Sequence, residues 1–225
     1  MELEPKRNRL KEILPVIYLV VGLLSLRWTV VEPYVVPTGS MEPTLKTGDR
    51  LYALKSAYEI RFPFTDITLL KVADVKRGDV ILFKAPRDPG ITYVKRAIGL
   101  PGDRIEFRSG VLWVNGSEMA KVPAKDNEIM SDIPRHSEKT LFLENLTGVQ
   151  HYVILDNYIP QARDMEEIVV PPDHLFAIGD NRDNSHDSRA WGFVPMKNLK
   201  GKGMFIWFSS RDYIPRYERV GTLIH

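Results

Sequence analysis

One long apolar run near the N-terminus constrains the fold of this chain more than any other feature. From Ile13 to Val31, 19 positions, the only charged side chain is Arg27. A helix needs about 20 such residues to cross a bilayer. Trp28, next to Arg27, is a residue typical of the interface between lipid and water. The run therefore predicts a transmembrane helix over residues 13–31.

The basic residues around this run predict its orientation. Four of them precede it: Lys6, Arg7, Arg9 and Lys11. After Arg27, the next basic residue is Lys46. The positive-inside rule then places residues 1–12 in the cytoplasm as a short tail and the rest of the chain outside. Two alternatives are a cleavable signal peptide, which lacks a small-x-small site here, and a buried soluble helix, which the lopsided basic flank disfavours.

The overall composition excludes several functional classes. The 225 residues carry a net charge of +2 without a long basic block, so we expect no nucleic-acid partner. There is no cysteine, which excludes disulfides, cysteine-based zinc sites and a thiol nucleophile. The hydrophobic share of 44% and the charged share of 27% are ordinary for a folded protein.

The chain after the apolar run is predicted to be mainly β. Short runs rich in β-branched and aromatic residues alternate with turn signals, and Ser109-Gly110 between two of them predicts a hairpin. No helical periodicity longer than a few turns is visible there. The predicted strands are 51–54, 80–83, 91–94, 104–107, 111–114, 140–143, 152–155 and 174–178.

Two stretches dense in candidate functional residues flank a region without them. We interpret that region, residues 104–172, as an inserted β-rich subdomain. It divides a predicted catalytic core into residues 32–103 and 173–225. Inside the insert, the polar and proline-punctuated stretch 121–135 is predicted to be a loop.

The first candidate site is the segment from Pro37 to Leu45, Pro-Thr-Gly-Ser-Met-Glu-Pro-Thr-Leu, in which prolines and a glycine surround Ser40. A serine nucleophile needs a rigid presentation and nearby hydrogen-bond donors for an oxyanion. Thr38 Oγ1 and the backbone N–H of Ser40 are the natural donors here. An ordinary turn with an exposed serine is the alternative that this segment alone leaves open.

The second candidate is Lys95, at the end of the alternating run Ile91-Thr92-Tyr93-Val94. A lysine that accepts a proton must be neutral, and at its ordinary pKa only about 1 in 2,500 is neutral at pH 7. Burial lowers that pKa, so a lysine general base belongs on a strand that enters a core. The alternative is a surface lysine with its aliphatic stem packed.

The third candidate is the polar loop 179–195, which begins Gly-Asp-Asn-Arg-Asp-Asn-Ser-His-Asp-Ser-Arg. A calcium loop is excluded because Arg182 and Ser185 occupy its third and sixth positions. A Ser40–His186–Asp187 triad is conceivable, although adjacent His and Asp side chains seldom orient each other. The third interpretation is a scaffold, in which Asp187 pairs with Arg189 and Ser185 orients the lysine.

Together these three stretches strongly resemble bacterial type I signal peptidases, also called leader peptidases. The motifs are Ser-Met-x-Pro-Thr-Leu, Lys-Arg-x-x-Gly-x-Pro-Gly-Asp and the Gly-Asp-Asn-Arg-Asp-Asn-Ser loop, in one order on one chain. The resemblance is weakest over 119–172. It departs from the family where Thr38 replaces a common serine, and where one span stands in place of the two of some members.

The resemblance implies roles for these residues. Ser40 is the expected nucleophile and Lys95 the general base, with an oxyanion hole made by Thr38 and the Ser40 N–H. Ser185 is expected to hold Lys95, while Asp187 and Arg189 are structural. The implied fold is a signal-peptidase-like β-sheet catalytic core, and no cofactor and no metal are implied.

The resemblance also implies a substrate and a location. We expect a serine endopeptidase that removes signal peptides from secretory preproteins after small residues, typically Ala-x-Ala. It would be monomeric and single-pass in the bacterial cytoplasmic membrane, in contact with lipid, with its catalytic domain on the extracytoplasmic face. The alternatives are a soluble self-cleaving Ser–Lys peptidase and a non-enzymatic β domain that binds extended peptides.

Aromatic residues leave one further question open. Trp207, Phe208 and the turn Phe62-Pro63-Phe64 could form an apolar surface that dips into lipid, or they could belong to the core.

Overall fold

A computed structural model describes residues 9–65, 67–158 and 164–225 of the chain. The greater part of the predicted cytoplasmic tail, including Lys6 and Arg7, lies outside the described residues. The helices are α1 (Arg9–Thr29), α2 (Asn127–Met130) and α3 (Ser188–Trp191). The strands are β1 (Val31–Val35), β2 (Asp49–Leu54), β3 (Glu59–Arg61), β4 (Thr68–Lys71), β5 (Val80–Lys84), β6 (Thr92–Gly99), β7 (Arg104–Arg108), β8 (Val111–Val114), β9 (Ser117–Glu118), β10 (Lys121–Pro123), β11 (Lys139–Leu146), β12 (Val149–Asp156), β13 (Met165–Val169), β14 (His174–Ile178), β15 (Val194–Pro195), β16 (Leu199–Arg211) and β17 (Ile214–Pro215).

Helix α1 is the apolar run. Its residues Lys11–Thr29 are long and apolar enough to cross a membrane. The helix ends two residues before the predicted limit of 31, which is a correction to the sequence analysis. The reason is that Val31 already belongs to β1 and pairs with Leu54 of β2. The β-sheet part of the chain therefore begins directly after the end of the helix.

The main sheet confirms the mainly-β prediction. Its strand order is β1-β2-β16-β5-β6-β14-β15, with β17 added to β16. The central strand β5 is the continuous apolar run Val-Ile-Leu-Phe because both of its faces are buried. Ile81 and Phe83 pack into one core cluster, whereas Val80 and Leu82 pack into another together with Met41. The second cluster anchors the segment that carries Ser40.

The strands between residues 104 and 169 pair with one another in two smaller sheets. One has the order β13-β7-β8-β9 and the other β10-β11-β12. The predicted hairpin at Ser109-Gly110 joins β7 to β8, and both turn residues have positive φ. The predicted loop 121–135 instead contains β10, which pairs with β11, and the single-turn helix α2. The insert boundary itself stays a prediction.

The longest strand, β16, was not predicted. Its sequence Leu-Lys-Gly-Lys-Gly-Met carries two glycines, and its pairing with β2 and β5 is interrupted by register shifts. A glycine is required at position 201 because the backbone of Leu54 approaches it closely. A Cβ there would lie 2.6 Å from the carbonyl oxygen and 2.9 Å from the carbonyl carbon of Leu54. Strand β16 thus packs against the Leu54 backbone at a distance that a side chain at position 201 would prevent.

We predict that Gly201→Ala destabilises the protein, because the new methyl group meets backbone atoms that cannot rotate away. The expected cost is about 1–3 kcal/mol, and roughly 2–4 °C of thermal midpoint is lost per kcal/mol in a protein of this size. The measurement is the thermal midpoint of the full chain in detergent. Gly203→Ala is the matched control, because its Cβ meets only side chains at 3.4 Å or more. Equal midpoints for the two variants would contradict this explanation.

Candidate active site

The segment that carries Ser40 is part of the connection between β1 and β2. Gly39–Met41 form one turn of 3-10 helix, preceded by Thr38 in an extended conformation. Met41 and Leu45 are fully buried, and Leu45 N donates to the carbonyl of Met41. These two apolar anchors hold the turn against the main sheet, and Ser40 is left only 9% exposed.

Lys95 on β6 meets Ser40. Its Nζ lies 2.5 Å from Ser40 Oγ, and the lysine is only 4% exposed. Burial lowers the pKa of Lys95 to about 8, against the attraction of the Asp187 and Asp180 carboxylates, which raises it. The alternative of a surface lysine is therefore wrong. A buried amine with a lowered pKa, in contact with a hydroxyl, is the geometry that a general base requires.

Thr38 stands at the open side of this pair. Its Oγ1 is 3.5 Å from Ser40 Oγ, and the residue is exposed. A hydroxyl beside the nucleophile and on its solvent side is suitably located to donate to an oxyanion that forms there.

The loop after β14 is braced by an ion pair. Asp187 Oδ1 accepts from Arg189 Nε at 2.9 Å and Oδ2 from Arg189 Nη2 at 2.8 Å, while Oδ2 also accepts from the Gly179 N–H at 3.0 Å. Burial opposes ionisation of Asp187, but the hydrogen bonds and charge of Arg189 outweigh it and hold its pKa below the ordinary value. Arg189 Nη2 also donates to the Arg182 carbonyl at 2.6 Å, which closes the loop.

Ser185 is near the site without a hydrogen bond to Lys95. Its Oγ is buried and lies near the Asp187 carboxyl, whose pKa the Ser185 hydroxyl helps to lower. It also lies beside Gly179, where an added Cβ would be 2.3 Å from Ser185 Oγ and 2.3 Å from the Ser40 carbonyl oxygen. The two serines thus crowd the same face of one glycine.

The triad alternative does not fit this arrangement. His186 is exposed. The Asp187 carboxylate is taken by Arg189 and the Gly179 N–H rather than by the histidine. Asp187 is therefore not available to orient His186 as a base for Ser40.

Asn181 is a positioning residue that the sequence analysis missed. Its backbone N–H donates to the Ser40 carbonyl at 3.2 Å, and its Nδ2 donates to the Gly39 carbonyl at 2.9 Å. Nδ2 also lies 3.3 Å from Oε2 of Glu42, a buried carboxyl whose pKa is raised by burial. Asn181 therefore connects the loop to the turn before the serine, at Gly39, and after it, at Glu42. The sequence signal for this role was the position of Asn181 in the polar loop 179–195, where no role was assigned to it.

A second missed feature is the buried ion pair between Arg96 and Asp180. The guanidinium donates twice, Nε to Oδ1 at 2.9 Å and Nη2 to Oδ2 at 2.7 Å. Thr44 Oγ1 donates to the same carboxylate at 2.6 Å. Arg96 opposes the effect of burial and holds the pKa of Asp180 below its ordinary value. Since Arg96 follows Lys95, the pair connects the lysine strand to the serine segment and the loop.

The family model and the relatives found by sequence agree on one family. Residues 7–208 match the family described as signal peptidase, peptidase S26. The chain is 36% identical over 230 residues to a signal peptidase I of Pseudomonas fluorescens, covering 95% of this chain and 78% of that protein. It is 35% identical over 229 residues, with the same coverage, to a signal peptidase I of Pseudomonas aeruginosa. A crystal structure of a signal peptidase I from Enterococcus faecalis has 26% identity and a TM-score of 0.36, covering 59% of this chain and 98% of that one.

We predict that Gly179→Ala lowers the reactivity of Ser40 by about 10²-fold, because the methyl group would displace the serine backbone by an ångström or more. The measurement is the rate at which a serine-directed acylating inhibitor forms an adduct on Ser40, read by mass spectrometry. A thermal melt of the same variant separates loss of geometry from loss of fold. Unchanged reactivity in a folded variant would show that Gly179 does not set the serine position.

Proposed function

Because the chain belongs to the signal peptidase family, peptidase S26, we propose that it cleaves signal peptides with Ser40 as nucleophile and Lys95 as general base. Members of this family are serine peptidases that cleave signal peptides from exported preproteins. The observation that carries the assignment of the dyad is the 2.5 Å contact between Lys95 Nζ and Ser40 Oγ inside the protein.

The first chemical step is proton transfer from Ser40 to neutral Lys95. With a pKa of about 8, about one lysine in ten is neutral at pH 7, compared with about 1 in 2,500 at the ordinary value. The serine oxygen attacks the scissile carbonyl, and the resulting oxyanion accepts hydrogen bonds from Thr38 Oγ1 and the Ser40 N–H.

The second half of the reaction returns the proton. Protonated Lys95 gives its proton to the leaving amine as the peptide bond breaks, and Ser40 remains as an acyl ester. Water that loses a proton to neutral Lys95 then attacks the ester. The C–O bond to Ser40 breaks, which releases the carboxyl end of the signal peptide, and protonated Lys95 returns the proton to Ser40 Oγ.

The substrate is proposed to bind as an added strand. Strand β14 pairs with residues 96–99 of β6, so the same edge of Thr92–Lys95 carries no partner strand among the described residues. The outer edge of β1, which leads to Ser40, is likewise open in that part of the chain. Extended peptides bind open edges through backbone hydrogen bonds. Selection of small residues, Ala-x-Ala before the cut, rests on the family resemblance.

The supporting residues are proposed to act on this machinery indirectly. Asp187 and Arg189 brace the loop. Ser185, whose buried hydroxyl lies near the Asp187 carboxyl, is proposed to bind Lys95 once the lysine is protonated. Monomeric state and the absence of a nucleic-acid partner stay predictions from the sequence.

We propose that α1 anchors the enzyme in the cytoplasmic membrane with the catalytic residues outside. An apolar hairpin, β3–β4, lies beside the end of the helix. Phe62 and Phe64 at its turn are more than half exposed, and Phe64 stacks on Trp28 of α1 at 5.4 Å. These two phenylalanines support the lipid-facing interpretation. Trp207 and Phe208 are half-buried and pack against Arg50 instead.

We predict that Ser40→Ala and Lys95→Met each reduce cleavage at least about 10³-fold, since removal of either member of a dyad disables the same step. The full chain in detergent is mixed with a preprotein that carries Ala-x-Ala, and product masses locate a single cut after the last alanine. Ser131→Ala and Lys125→Met are matched controls at exposed positions. Activity that persists in Lys95→Met would disprove the proposed base.

We also predict the direction of the pH dependence. The neutral form of Lys95 is the active one, so kcat/KM should rise with pH and level off above a pKa of about 8. Between pH 6 and pH 8 the neutral fraction increases about fifty-fold. The measurement is kcat/KM for a signal-peptide substrate from pH 6 to pH 10. A rate that keeps rising tenfold per pH unit up to pH 10 would mean that Lys95 is not shifted.

A further inference from the structure

A cavity lies at the junction of α1 with the catalytic domain. It has a volume of about 470 Å³ and opens beside the last turn of the helix. Its apolar lining consists of Leu24, Trp28 and Phe64. Its charged lining, among the described residues, consists of one carboxylate and five cations: Glu32, Arg27, Lys55, Arg61, Lys84 and Lys200.

The carboxylates nearby neutralise only part of this positive charge. Lys55 Nζ is 3.3 Å from Glu32 Oε2. Arg61 Nε donates to Oε1 of Glu59, two residues earlier on the same strand β3, at 2.6 Å. Arg27 and Lys200 have no carboxylate within ion-pair distance in the described ranges. The whole chain has a net charge of only +2, so the cavity concentrates a positive potential that attracts an anion.

The five cations come from five separate parts of the fold. Arg27 is on α1, Lys55 follows β2, Arg61 ends β3, Lys84 ends β5 and Lys200 is in β16. They meet in space although they are far apart in sequence. Lys200 Nζ is placed over the Tyr34 ring at 5.5 Å and Lys55 Nζ over the Trp28 ring at 4.7 Å. Cation–π contacts thus position two ammonium groups without neutralising their charge.

The apolar lining restricts which anion fits. Leu24 and Trp28 belong to the same face of the proposed membrane helix, and Phe64 stacks on Trp28 at 5.4 Å. A free inorganic anion gains no binding energy from this apolar lining. An amphiphile with an anionic head fits both halves, because its acyl chains can follow α1 while its phosphate meets Lys and Arg, which bind phosphate oxygens strongly.

We propose that this cavity binds the phosphate headgroup of an anionic phospholipid in the outer leaflet. The proposal rests on the proposed membrane anchorage of α1. A bound phosphate would connect the helix to the ends of β5 and β16, and so fix the height and rotation of the catalytic domain above the bilayer.

The test is native mass spectrometry of the full chain released from detergent with added phosphatidylglycerol or phosphatidylcholine. The wild-type chain should retain one phosphatidylglycerol molecule more strongly than phosphatidylcholine. Arg27→Gln combined with Lys200→Gln should weaken that retention roughly tenfold, since each basic residue near an anionic lipid surface contributes appreciably to binding. The matched control, Arg104→Gln with Lys125→Gln, removes the same charge from exposed positions in the 104–172 region and should have no effect.

Three results would overturn the proposal. They are equal retention of the two lipids, equal loss in both double variants, and competition by soluble glycerophosphoglycerol as strong as by the lipid. The last would point to a free phosphate site. Flotation of the wild-type chain with pure phosphatidylcholine vesicles tests anchorage separately, and cleavage of a soluble signal-peptide substrate in detergent tests the peptidase. A failure of either is therefore distinguishable from a failure of the lipid site.

Discussion

The buried pair of Arg96 and Asp180 is the interaction on which the arrangement of the site depends. It joins the strand that carries Lys95 to the loop that carries Asn181, and through Thr44 it reaches the segment that carries Ser40. The same guanidinium also donates to the Gly78 and His225 carbonyls, each at 2.7 Å. Removal of one partner from such a pair leaves an uncompensated buried charge, which typically costs about 3–5 kcal/mol. Three chain segments are thereby held in one geometry.

The ion pairs also resolve an electrostatic conflict. Carboxylates near a buried lysine stabilise its charged form, and both Asp187 and Asp180 raise the pKa of Lys95 in this way. Each of them is paired with an arginine, Arg189 or Arg96. Arg189 lowers the pKa of Lys95 and so opposes the carboxylates, and burial remains the largest influence on the lysine. The polar scaffold can therefore be rigid while the pKa of the proposed base stays below its ordinary value.

The sequence was sufficient to predict the local parts of this structure. Alternating and apolar runs predicted most strands, and the hairpin at Ser109-Gly110 followed from its turn residues. Long-range partners were not predictable, because nothing in a single chain tells which carboxylate Arg96 will meet. Strand β16 was missed since its glycines, which the packing against Leu54 requires, look like turn signals. The helix end was misplaced because Val31 is equally suited to a lipid environment and to a strand.

In the site, too, residues with a local sequence signal were predictable, and residues defined by long-range contacts were not. Ser40 and Lys95 were identified from the rigidity of one segment and the burial expected of another, and the structure brings their side chains together. Asn181 and Glu42 act through backbone carbonyls and burial, which leave no periodic signal. Ser185 was expected to touch Lys95, yet its position is decided by the close approach at Gly179.

The open edge of β6 has a consequence for how substrate and enzyme act on each other. Lys95 is the last residue of the stretch Thr92–Lys95 that lacks a second neighbouring strand among the described residues. A peptide that adds itself to that edge would bury further a lysine that is already only 4% exposed. Its arrival would favour the neutral form further, so the substrate would help to create the base that attacks it. A protease built in this way remains weakly reactive until an extended chain occupies its edge, which protects neighbouring proteins that never present one.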